Sequence, residues 1–251
     1  MERAPTPQPP TKSQIAISLG VFILVMSAAF GVARIQPGVH ETLDHHTIPE
    51  KALEFYELQG DAGADVAEAE GADECAVEGV AGGAVEGGFD GYYYQYYTTI
   101  FTIWATLLLL IPAFGSFLLR HARPSAHGYW VLFWTLSLAA YLIHILWAAL
   151  VAFDGNLGAI FTCKARVAQP ELNTILALWW SLDVSLLFFS KAEPKWVRIQ
   201  RWGIHVAVFA IAVVATLVVA KASGHVRILG ILLVVSVVVC GMLAWRGRSS
   251  S

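Results

Sequence analysis

Six apolar stretches leave this chain few ways to fold: about Gln14 to Ala33, Thr98 to Leu119, Tyr129 to Phe153, Leu172 to Phe189, Gly203 to Ala220 and Val226 to Trp245. At about 1.5 Å per helical residue, such lengths approach the roughly 30 Å of a bilayer's hydrocarbon core. In lipid every backbone N–H and C=O has to be bonded inside the protein, which a helix achieves within one segment. A closed barrel would need many alternating segments, and these are missing. The expected fold is therefore an all-α integral membrane protein, a six-transmembrane-helix bundle. Composition agrees, because 57% apolar and 14% charged residues suit lipid better than a large water-soluble core. The Leu172 to Phe189 stretch is the least secure, being short and carrying Asp183.

Residues 1–13 form a tail with Pro5, Pro7, Pro9 and Pro10, and residues 14–251 read as one membrane domain. The tail has no basic run, so the first span reads as a retained anchor, although Ala28, Ala29 and Ala33 offer small residues of the kind a signal peptidase cuts beside. Lys and Arg in alternate connections number ten on the side of the termini and six on the other. That bias places both termini in the cytoplasm of a bacterial or archaeal cell membrane.

Residues 34–97 make one long connection with 14 acidic and two basic residues, a formal charge of 2 − 14 = −12. The whole chain carries −3, so the remainder carries +9. Anionic headgroups repel such a segment, and it is expected as an acidic extracytoplasmic loop exposed to water. His40 to Leu58 suits a short interfacial helix, and the Gly-, Ala-, Glu- and Asp-rich Gly60 to Asp90 suits disorder. Tyr92, Tyr93, Tyr94, Tyr96 and Tyr97 fit an aromatic belt at the headgroups.

Three features carry chemistry. His40, His45 and His46, with Glu41 and Asp44, are candidate metal ligands, but their spacing matches no particular coordination geometry and solvent or headgroup contact explains them as well. Cys75 and Cys163 both fall outside, where a disulfide between them is permitted, whereas Cys240 sits inside a span as a small packing residue. The third is polarity within the membrane. Trp130, Trp134, Ser137, Tyr141 and His144 recur at steps of four, three, four and three, so one face of that helix is expected to turn away from lipid.

An unpaired carboxylate at Asp183 would be costly there. Measured from the outer ends of their spans, His144 and Asp183 lie at roughly 14 and 16 Å, which suggests one shared layer, with Tyr141 and Ser181 as polar neighbours. That pair would either fix packing or handle a proton or ligand. His205 lies far from His144 in depth and reads as an interfacial residue beside Trp202 rather than as a haem partner.

No nucleotide-binding glycine loop, phosphate loop, metalloprotease motif or nucleophile elbow is present, and no particular cofactor is indicated. Scattered basic residues argue against nucleic acid. The partners expected are membrane lipids and a basic protein that meets the acidic loop. The functional expectation is a noncatalytic or accessory subunit of a multiprotein membrane complex, with energy conversion as the process considered. The alternative is a small proton-coupled transporter or a membrane oxidoreductase using His144 and Asp183.

Overall fold

The computed structural model describes residues 9–35, 89–152, 158, 170–190, 194–219 and 224–249. Its long helices are α1 (Lys12–Ile35), α2 (Phe89–Leu119), α3 (Pro124–Ala152), α4 (Pro170–Phe189), α5 (Lys195–Val214) and α6 (Gly224–Ser249). All six are long and apolar enough to cross a membrane, the architecture of a multi-pass membrane protein. Each helix carries large apolar residues on its outer face, among them Leu24 on α1, Leu178 on α4 and Val238 on α6. In water such a surface would aggregate; in hydrocarbon it is a solvated one.

α2 is the centre of the bundle, in contact with α1, α3 and α6, while α4 and α5 pack as a hairpin against α3 and α6, with α5 rings also meeting Phe114 and Phe117 of α2. Thr11 and Gln14 build a reciprocal cap at the start of α1. The Gln14 N–H donates to Thr11 Oγ1, the Thr11 N–H donates to Gln14 Oε1 at 2.9 Å, and Gln14 Nε2 goes on to the Ser125 carbonyl at 2.8 Å. One side chain therefore closes a helix end and ties it to the first turn of α3. The same contact puts the start of α1 beside the start of α3, and Gly247 of α6 lies beside Ala122 in the α2–α3 turn. Arg120, Arg123, Lys195, Arg198 and Arg246 consequently gather at one end of the bundle, called here the basic end.

α2 begins nine residues before the expected span and runs back through the tyrosine cluster to Phe89, so Phe89 and Asp90 belong to a helix and not to a disordered stretch. The rest of the acidic connection, with the proposed 40–58 helix, lies outside the described residues. α5 begins at Lys195 and not at Gly203. Charge interrupts the apolar run without interrupting the helix, because Arg201 turns inward and Arg198 outward.

α5 passes into a five-residue π-turn, Ala215–Val219, where Thr216 Oγ1 donates to the Ala212 carbonyl at 2.7 Å. Gly230 of α6 lies against this turn. A Cβ there would run into Thr216 Oγ1 and stand 2.8 Å from Leu217 Cδ2, so backbone-level packing requires a residue without a side chain. Gly230→Leu is expected to destabilise the bundle by about 1–3 kcal/mol, the usual cost of overpacking. Denaturant unfolding in detergent micelles checks this, and an unchanged midpoint would show that α6 can back away freely.

Candidate functional site

A group of buried polar side chains converges where α3, α4 and α5 meet. Asp183 of α4 is wholly buried. Its Oδ2 accepts the indole N–H of Trp134 on α3 at 2.9 Å, and its Oδ1 meets Nε of Arg201 on α5 at 3.4 Å. Arg201 is itself 3% exposed. A carboxylate and a guanidinium in hydrocarbon each carry a large desolvation cost, offset only when each meets the other and the remaining polar atoms also find partners.

The register of this pair follows from the hairpin. Asp183 lies six residues before the end of α4 and Arg201 six residues after the start of α5. Each therefore sits about 9 Å from the turn. Equal distances on antiparallel neighbours bring the two charges level.

One turn along α5 from Arg201, His205 is enclosed by aromatic rings. Its ring stacks on Trp134 at 3.8 Å between centroids and on Phe117 of α2 at 3.9 Å, with interplanar angles of 14° and 19°. The indole N–H of Trp130 donates to His205 Nε2 at 3.0 Å. An indole N–H can only donate, so Nε2 is the acceptor and the proton of the neutral ring resides on Nδ1. Nδ1 then donates to the Arg201 carbonyl at 2.7 Å. Both ring nitrogens are used, and His205 links α3 to α5.

The stack extends beyond the histidine in both directions. The guanidinium of Arg120 lies 3.6 Å from the Phe117 centroid on one side; on the other, Trp180 follows Trp134 at 4.7 Å and Tyr141 follows Trp180 at 5.9 Å. Ring pairs in such arrangements contribute about 0.5–1.5 kcal/mol each beyond their buried area. The column thus fastens α2, α3, α4 and α5 together around the charged pair.

His144 does not join Asp183. Its Nδ1 lies 2.9 Å from the Thr99 carbonyl and 3.1 Å from Thr102 Oγ1, both on α2. Two geometric facts separate the expected partners. Asp183 is level with Trp134, ten residues and about 15 Å along α3 from His144. Ten residues at about 100° each also turn His144 roughly 80° from Trp134, toward α2. Matching the outer ends of two spans was a poor measure of depth; the shared turn of the α4–α5 hairpin is the better one.

The expected inward face of α3 is present in the structure: Trp130, Trp134, Ser137 and Tyr141 are all buried and His144 is half-buried. Tyr141 reaches the cluster through Trp180. Ser181 is half-buried and its carbonyl accepts from Ser185 Oγ at 2.8 Å, a contact within α4. His205 is not an interfacial residue: it is 2% exposed, while neighbouring Trp202 is 45% exposed. Residues three apart on a helix are neighbours on its surface but need not share one environment, and here the boundary of the core falls between them. His40, His45, His46, Cys75 and Cys163 lie outside the described residues. Among the described residues no group of three His, Cys, Asp or Glu side chains is placed to hold a metal ion. Cys240 is a free thiol whose sulfur would lie 3.2 Å from a Cβ at Gly115, in the α2–α6 contact.

Arg201, Arg120 and the Trp130–His205 bond were not anticipated. The equal spacing of Asp183 and Arg201 about the hairpin turn was the available signal for the first; nothing comparable marks the others. No family model, no curated protein and no solved structure matches this chain, so the arrangement of these side chains carries the functional argument.

Proposed function

We propose that the chain is a noncatalytic, accessory subunit of a multiprotein membrane complex, in which its six helices form a preassembled block. The observation that carries this reading is the Asp183–Trp134–Arg201 contact, backed by His205 bonded at both nitrogens. Donors and acceptors committed to one another across three helices resist rearrangement, which suits a scaffold better than a site that must alternate between two faces of a membrane. The broad apolar faces of α1 and α4 supply surface for lipid and for neighbouring subunits.

In this reading the termini and the basic end face the cytoplasm of a bacterial or archaeal cell, with the −12 segment 34–97 outside. A basic partner domain is its natural counterpart, because complementary charge speeds encounter and restricts orientation. Extraction in a mild detergent is expected to bring other membrane proteins along with the chain, and replacing the acidic residues of 61–90 by their amides is expected to weaken that association in low salt. Recovery of the chain alone, with association unaffected by the replacements, would remove the proposal.

A second reading, a small proton-coupled transporter or membrane oxidoreductase, draws on Asp183 and two histidines lying in membrane-spanning helices, since ionisable residues at such depth commonly mark ion pathways. Reconstitution under an imposed pH gradient separates the two. The scaffold reading expects no proton-coupled flux. Flux abolished by Asp183→Asn in a chain that still folds would establish the second instead.

A further inference from the structure

We propose that a pocket at the basic end binds the headgroup of an anionic phospholipid, with Arg120 and His121 as its polar wall. The pocket encloses about 180 Å³ between the end of α2, Trp202 of α5 and the last turns of α6, with Phe117, Gly241 and Trp245 completing much of the lining. That is room for several waters, the scale of a phosphate group with its first glycerol carbons.

Arg120 is held in place for this task. Its guanidinium lies over the Phe117 ring, within 5.2 Å of the Trp130 centroid and 5.7 Å of Trp202, and it donates to the Phe117 carbonyl. A guanidinium fixed by ring faces loses little further freedom when it meets an oxyanion. Trp202 and Trp245, 45% and 75% exposed, stand where indoles favour the headgroup layer. Arg123 and Arg246 add positive charge at the same end. Among the described residues the carboxylate toward this end is Asp183, which is buried against Arg201. The arginines gathered at this end favour a net negative headgroup over a zwitterionic one.

The apolar side of the pocket argues for lipid over free phosphate. Val235 and Val238 of α6 are exposed and continue from Gly241 away from the basic end, a path along which an acyl chain can lie. Inorganic phosphate has no use for such a surface.

Gly241 provides a clean test, because a Cβ at this position would meet no atom within 4 Å. A leucine here starts from open space in the pocket wall, and Gly241→Leu is expected to occupy the pocket. In phosphatidylcholine micelles of the full chain, added phosphatidylglycerol is expected to raise the unfolding temperature and to remain bound in native mass spectrometry. Gly241→Leu and Arg120→Gln should each lose the temperature shift and the retained lipid, and Arg227→Gln, at the opposite end of α6, should keep both. Equal stabilisation of Gly241→Leu and the unmodified chain would overturn the assignment, as would an equal effect of extra phosphatidylcholine. Reproduction of the shift by inorganic phosphate alone would also overturn it, by showing an anion site that needs no lipid.

Discussion

Asp183→Leu is expected to lower the stability of the bundle by about 3–5 kcal/mol, because it strands Arg201 as a buried cation. The charge, and not the lost contact, sets the size of the effect. Hydrogen bonds between membrane helices average only about 0.6 kcal/mol in double-mutant cycles, so the pairwise worth of the Trp134 bond is a small part of this loss. The double variant Asp183→Leu/Arg201→Met removes both charges and should recover most of the loss, as apolar replacement of whole buried ion pairs commonly does. Unfolding in mixed micelles, followed by tryptophan fluorescence, measures both. Equal destabilisation of the single and double variants would mean that water reaches Arg201 and that the pair is not sealed from solvent.

Trp134→Ala is expected to cost a comparable amount, about 3–5 kcal/mol, by emptying the middle of the aromatic column. Trp134 stacks on His205, meets Trp180 at a tilt and Phe114 edge-on, and donates to Asp183, so one residue supports several neighbours. Trp134→Phe separates the contributions: it retains a ring and removes the N–H, and should cost about 1–3 kcal/mol. If phenylalanine were as damaging as alanine, the bond to Asp183 would dominate and the stacking would matter little. If phenylalanine were neutral, Asp183 would be adequately held by its other donors.

The helices were legible because apolar run length is a direct record of bilayer thickness, and the buried face of α3 because its residues recur at helical spacing. What periodicity within one helix cannot supply is the rotation and offset between two helices. Asp183 and His144 illustrate this: both stood out as too polar for lipid, yet His144 bonds to α2, while Asp183 meets Arg201 on α5 and α3 at Trp134, not at His144. The end of α5 hid the answer for a related reason. Reading the span as starting at Gly203 left Arg201 among the surface cations, whereas the helix starts at Lys195 and carries Arg201 into the core. Hydropathy averages over the circumference of a helix, and a single inward-facing charge disappears into that average. The lining of the basic-end pocket was less legible still, since it comes from three helices far apart in the chain.

The level placement of Asp183 and Arg201 bears on how the chain enters the membrane during synthesis. On the insertion scale a charged residue at the centre of a helix costs about 2.5–3.5 kcal/mol, enough to make α4 alone a reluctant entrant. Only a short connection separates it from α5, so the translocon can hold the carboxylate until its counter-charge emerges and release the two helices to lipid as one unit. Cotranslational insertion of a chain truncated before Lys195 should therefore be less efficient than that of one extended past Arg201.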